Sequence, residues 1–174
     1  MTNRIQELTV NDVWRDEQDA WNNRSNYFVE MHNRDDRKAQ VTEFLSFLKD
    51  ENLLPPKDGC TLDIGCGVCD YALGLAREGH KATGIDLSDG MIRGAKQLAE
   101  SEGLDLSLYI APWSDKTRRE LKWDKTFDLT YSIFCPIMFD EENIRAMHES
   151  SKDKCLWIAF SERSDETVDM LSEH

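Results

Sequence analysis

Long apolar runs are missing from this 174-residue chain, and no stretch approaches the ~20 residues needed to cross a bilayer. The opening MTNRIQELTV lacks the apolar core of a secretory signal. The chain therefore reads as cytoplasmic, with no membrane partner. Basic residues are scarce too: 21 Lys and Arg stand against 34 Asp and Glu, a net charge of −13. The densest basic group, Lys116-Thr117-Arg118-Arg119, is diluted by Asp115 and Glu120. Phosphate backbones need clustered cations, so nucleic acid is excluded as a partner and a small molecule is favoured. The five cysteines, Cys60, Cys66, Cys69, Cys135 and Cys155, occur without a secretion signal and read as reduced thiols. Cys66-Gly67-Val68-Cys69 is a C-x-x-C, but two further zinc ligands at fitting spacing are not local. No metal is expected there, and the two cysteines read as small packing residues. Of four histidines (His32, His80, His148 and His174), none is placed to serve as a catalytic base. Internal repeats and low-complexity tracts are absent.

The length suits one domain with a sizeable core. Residues 11–22 carry sparse helical periodicity through Val13, Trp14 and Trp21, and a polar break follows at 22–26. A second helix is predicted over 35–52, with Val41, Phe44, Leu45 and Leu48 on one face, stopped by Pro55 and Pro56. From residue 60 onward, strands and helices alternate. Strands are predicted over 61–64, 81–86, 106–110, 127–133 and 155–160. The helix from Ser88 to Glu102 has a capping serine, a buried stripe of Met91, Ile92, Ala95, Leu98 and Ala99, and Gly103 at its end. Another helix fills 141–150. Such alternation implies right-handed crossovers and a parallel sheet with helices on both faces.

The segment Thr61-Leu62-Asp63-Ile64-Gly65-Cys66-Gly67 is a strand running into a glycine turn, and Gly84-Ile85-Asp86-Leu87-Ser88 is a strand ending in a carboxylate. Gly65 and Gly67 permit a sharp turn and close approach of a ligand to bare backbone. Asp86 falls 21 positions after Gly65, near the ~20-residue offset at which a strand-end acid meets ribose hydroxyls. This is a nucleoside site. In a dinucleotide fingerprint, G-x-G-x-x-G, the third glycine would fall at position 70, which is Asp70. A carboxylate there would repel a diphosphate, whereas a ligand bearing a sulfonium and no phosphate would tolerate it.

On these residues, LDIGCGVCDYALGLAREGHKATGIDLSDGMIRGAKQLAE resembles the first half of a class I S-adenosylmethionine-dependent methyltransferase of the small-molecule type. The resemblance implies a Rossmann-like, doubly wound, mostly parallel sheet with an N-terminal helical lid. It divides the chain into a lid segment over 1–55 and a cofactor-binding core over 56–174 within one domain. It also implies two closing strands beyond 155–160 that the chain does not show, leaving either a fragment, an edge covered by another copy (a homo-oligomer), or a minimal version.

Further implications of the resemblance are residue roles. The backbone of Gly65, Cys66 and Gly67 would pack on the methionine portion, with Asp63 either contacting the ligand or only stabilising the loop. Asp86 would accept from the ribose hydroxyls, and Leu87 and Met91 would border the adenine, Met91 being equally a core residue. Trp113 would offer the adenine a flat face or else pack at the surface. Ser132, like Cys135, would lie beside cofactor and acceptor at the end of strand 127–133. In the lid, Arg24 would pair with the methionine carboxylate and Tyr27 would cover the sulfonium, against a solvated arginine and a core tyrosine as alternatives. The implied activity is methyl transfer to a small-molecule acceptor. The alternatives are a binding domain without turnover and an NAD-dependent oxidoreductase.

Overall fold

The computed structural model describes residues 3–9 and 12–159. Its six strands form one parallel sheet: β1 (Arg4–Glu7), β2 (Cys60–Ile64), β3 (Lys81–Asp86), β4 (Ser107–Ile110), β5 (Phe127–Ile133) and β6 (Ser151–Ile158), in the order β1-β4-β3-β2-β5-β6. The helices are α1 (Arg15–Asn22), α2 (Ser25–His32), α3 (Asp35–Asp50), α4 (Asp70–Arg77), α5 (Asp89–Glu102), α6 (Asp115–Glu120) and α7 (Glu141–Ser150). β2 pairs with β3 on one side and β5 on the other. The strand order therefore reverses at β2, which opens a crevice beyond its carboxyl end.

Burial follows the period of each element. Leu62, Ile64 and Ile85 face α6 and α7 in a cluster with Trp113, Trp123, Phe127 and Met147. The opposite face packs Leu108 and Ile110 on α4 and α5, and Leu129 and Tyr131 on Phe44 and Leu48 of α3. Being covered on both faces, β2 and β3 are almost continuously buried. Helix α5 has the predicted ends: the Ser88 hydroxyl accepts from the Met91 N–H at 3.0 Å, and Gly103 closes it in the left-handed conformation.

Residues 1–55, expected as a helical lid, also supply an edge strand. β1 pairs in parallel with β4, and Asn3 reinforces the pairing by accepting from the Leu106 N–H at 2.7 Å. At the other edge the strand predicted over 155–160 begins earlier, at Ser151. Phe160 and the stretch to 174 lie outside the described residues, so β6 is the outer strand there only among the described ones.

In the helical part of this segment, α2 docks against α5 and α3. Helix α2 packs on α5 where Gly90 and Gly94 leave two gaps one turn apart. A Cβ on Gly90 would stand 2.7 Å from the Ser25 hydroxyl, and one on Gly94 would stand 2.6 Å from Val29. At the end of α2, the buried His32 bonds through Nδ1 to Asp70 at 2.5 Å and through Nε2 to Glu102 at 3.0 Å. Arg37 of α3 donates to the second oxygen of Asp70 at 2.6 Å.

Candidate functional site

The turn after β2 is held by three left-handed residues, Gly65 (φ +68°), Gly67 (φ +54°) and Cys69 (φ +64°). The N–H groups of Gly65 and Cys66 both donate to the Ile85 carbonyl, at 2.9 and 3.1 Å, which ties the turn to the end of β3. The two glycines differ in what lies beside them. A Cβ on Gly65 would collide with the Cys135 sulfur at 2.3 Å, so Cys135 already packs on that bare backbone. A Cβ on Gly67 would meet only the Met91 sulfur, at 4.0 Å. The open part of the turn is at Gly67.

Asp86 ends β3 and stitches the two loops together. Its Oδ2 accepts from the Gly67 N–H and its Oδ1 from the Ser88 N–H, both at 2.8 Å. Burial raises its carboxyl above the ordinary range, and the Ser88 and Gly67 N–H groups oppose that rise. A carboxylate offers about four acceptor positions. Two are used internally, which leaves about one free on each oxygen.

Asp63 lies one position before the end of β2, in register with Gly84 on one side and Tyr131 on the other. Its Oδ2 is buried with no hydrogen-bond partner among the described residues, and so is the Tyr131 hydroxyl. Burial pushes the Asp63 carboxyl up to about 8. The nearby Tyr131 hydroxyl pulls it down without reaching hydrogen-bond geometry, while Asp86 and Asp70 push it further up. Burial thus shifts this acid, which lies beneath an open turn, toward its protonated form. Its unpartnered oxygen is a position at which a ligand donor would be satisfied.

Cys66 and Cys69 pack across Gly84, where a Cβ would stand 2.9 and 2.5 Å from their sulfurs. Both thiols stay protonated. Cys66 is raised by burial and by its Cys69 neighbour. Cys69 is drawn down by its bond to Cys66 but raised more by burial and the nearby carboxylates. Among the described residues no group of three or more His, Cys, Asp or Glu is arranged to hold a metal ion.

Asp63, Gly65, Cys66, Gly67, Asp86, Leu87 and Met91 thus converge around the carboxyl ends of β2 and β3. Met91 is a buried core residue whose sulfur reaches toward Gly67. Ser132 is also buried at this end of the sheet, where its hydroxyl donates to the Ile64 carbonyl at 2.8 Å and fastens β5 to β2. Trp113 is placed differently: it is core, and its indole N–H is spent on the Asn143 carbonyl at 3.1 Å. The lid pair stands apart as well. Arg24 is exposed with its guanidinium over the Trp21 ring at 5.2 Å, and Tyr27 is 58% exposed. Neither has a hydrogen bond or ring contact with the glycine turn among the described residues.

Asp70 does not stand as the lone charge that its position at the head of α4 implies. Burial pushes its carboxyl up, but the bond from His32 and the Arg37 guanidinium outweigh that and hold it below the ordinary range. Its charge is turned toward α2 and α3 and is neutralised there, so it does not confront a ligand at the head of α4.

Sequence reasoning missed Gln18 and Asn22 of α1. Gln18 donates to the Leu87 carbonyl at 2.9 Å. The Asn22 side-chain oxygen accepts from the Ser88 hydroxyl at 2.7 Å and the Gly90 N–H at 2.9 Å. Nothing in a polar helix end announces such contacts.

A family model described as a methyltransferase domain matches residues 61–153, just over half of the chain. Among curated proteins, a putative methyltransferase of Geobacillus is 32% identical over 87 residues, covering 48% of this chain and 33% of its own length. A 23S rRNA (uracil-C5)-methyltransferase of Shewanella halifaxensis is 32% identical over 83 residues, covering 47% of this chain and 19% of its own. The chain thus spans a third or less of the length of these relatives. Among solved structures, a protein of Pyrococcus horikoshii superposes with a TM-score of 0.53 at 26% identity, covering 67% of this chain and 51% of its own. A SAM-dependent methyltransferase from Aquifex aeolicus superposes with a TM-score of 0.57 at 17% identity, covering 80% and 76%. The magnesium protoporphyrin IX methyltransferase of Synechocystis, solved with bound SAM, gives 0.55 at 20% identity, covering 82% and 72%. At these last two identities the likeness is one of fold.

Proposed function

The chain belongs to the methyltransferase-domain family, and we propose that it binds S-adenosylmethionine at the ends of β2 and β3 and serves methyl transfer to a small-molecule acceptor. The observation that carries this reading is the pairing of two unlike carboxylates across one open turn. Asp86 retains acceptor positions for two ribose hydroxyls. Asp63 has a buried oxygen without a partner among the described residues, fit to receive the ammonium of an amino-acid tail. Gly67 leaves room between them. A nucleoside joined to a cationic amino acid matches both ends, and a dinucleotide leaves Asp63 unanswered.

The bound cofactor supplies an electrophilic methyl group, and the protein's part is alignment in a water-poor crevice. His32 is committed to Asp70 and Glu102 and is not disposed to act as a base. The reading therefore favours an acceptor that presents its lone pair unaided. The Shewanella relative acts on RNA, but a net charge of −13 supports a small acceptor here.

Calorimetry with S-adenosylmethionine, S-adenosylhomocysteine and NAD side by side tests the reading. Binding of the first two without NAD is expected. Binding of NAD with no response to the others would overturn it. Conversion to S-adenosylhomocysteine with a metabolite pool separates an enzyme from a binding domain.

A further inference from the structure

The loop that follows Asp86 is held from outside the nucleotide-binding core. Leu87, Ser88 and Gly90 each have a polar group bonded to α1: the Leu87 carbonyl to Gln18, the Ser88 hydroxyl to Asn22, and the Gly90 N–H to the same Asn22 oxygen. Gln18 and Asn22 are one helical turn apart, so both reach the loop from a single face. Ser25 locks the arrangement from behind, since its hydroxyl donates to the Asn22 carbonyl at 2.8 Å and sits where a Gly90 Cβ would be. Ser88 is the hinge of this network. Its N–H donates to Asp86 Oδ1, its hydroxyl oxygen caps α5, and its hydroxyl proton goes to Asn22.

We propose that Asn22 is a positioning residue for the nucleoside half of the cofactor: through Ser88 it fixes the rotamer of Asp86 and hence the acceptor positions offered to the ribose. This rests on the cofactor reading above. It gives helices α1 and α2 a role in recognition without contact with the ligand. It also explains why a half-buried asparagine side-chain oxygen gathers two donors at a helix end, where bulk water would serve a merely structural residue.

The arrangement requires an acceptor at position 22, so aspartate should replace asparagine where alanine does not. Affinities of Asn22→Ala and Asn22→Asp for S-adenosylhomocysteine and for 5′-methylthioadenosine, which lacks the amino-acid tail, are to be compared with the parent. Asn22→Ala should weaken both ligands by the same factor, roughly tenfold, the equivalent of one charge-assisted bond, and Asn22→Asp should stay within about threefold. Exchange of the Gly67 and Ser88 amide protons, read by NMR on the ligand-free protein, should quicken in Asn22→Ala and remain slow in Glu30→Ala, an exposed control on α2. Should Asn22→Ala not fold, Gln18→Ala tests the same latch with an expected loss of about threefold. Unchanged affinity and unchanged amide exchange in the alanine variant would overturn the proposal. If the parent binds neither ligand, the cofactor reading fails, while the exchange measurement still decides whether Asn22 holds the loop.

Discussion

Asp86 at the end of β3 and Asp63 one position before the end of β2 sit on neighbouring strands of the same parallel sheet, yet their surroundings are opposite. Asp86 is held by two N–H groups and backed by a network that runs through Ser88 to Asn22. Asp63 has a buried oxygen with no partner among the described residues, and burial pushes its carboxyl up to about 8. The difference is in preorganisation. In the proposed reading the nucleoside end is assembled before any ligand arrives, so little is lost in ordering it. The amino-acid end is left under-satisfied, and a buried acceptor without a donor costs ~1–3 kcal/mol until one is supplied. Under the proposed reading, a donor from the ligand's amino-acid tail recovers that cost.

Three experiments break or sharpen this contrast. The largest effect is expected from Asp86→Ala, which removes the ribose acceptors and releases Gly67 and Ser88 together. Loss of about 1.5–3 kcal/mol for each charge-assisted bond lowers affinity for S-adenosylmethionine tenfold at the least. Titration calorimetry reads this, and an unchanged affinity would place the nucleoside elsewhere.

The second experiment is a pH series on Asp63. Pairing with an ammonium requires the carboxylate, so affinity should climb about tenfold per pH unit below 8 and level off above it, and Asp63→Asn should show a flat profile. Stability runs the other way. Between the ordinary carboxyl value of 3.8 and about 8, the folded protein holds a proton that the unfolded chain has released. Raising pH through that window therefore favours unfolding. Denaturant midpoints should fall with pH in the parent and fall less in Asp63→Asn.

The smallest effect is expected from replacing Cys66 and Cys69 together with alanine. Their thiols fill space over Gly84, so the variant should fold and bind the cofactor within a few-fold of the parent. Stoichiometric zinc in the parent, lost along with the fold, would contradict that role.

The parts legible in the sequence were those written in local spacing. The glycine turn, the acid at the end of β3 and the cap and stop of α5 appear in the structure at the expected positions, and strands alternate with helices as expected, although β6 begins four residues earlier than predicted. Trp113 shows where spacing was insufficient. Its place after β4 was clear, but which way its indole turns depends on a carbonyl of α7 thirty residues on. Strand β1, Arg-Ile-Gln-Glu, has no apolar stripe to announce it and exists because β4 offers an open hydrogen-bonding edge. Asp70 looked like a lone charge at a helix head until His32 and Arg37 were found against it.

By itself, then, the sequence determined the class of fold and the placing of Asp63 and Asp86 beside one glycine turn, because glycine dihedrals and the 2- and 3.6-residue periods act between near neighbours. Only the tertiary structure decided which of those carboxylates is satisfied and which is orphaned, and that α1 holds the loop after Asp86. Those outcomes depend on partners 66 to 69 positions apart for the loop and on the desolvation of Asp63 by a packed core. Burial and long-range contact are properties of the folded whole, and no local pattern encodes them.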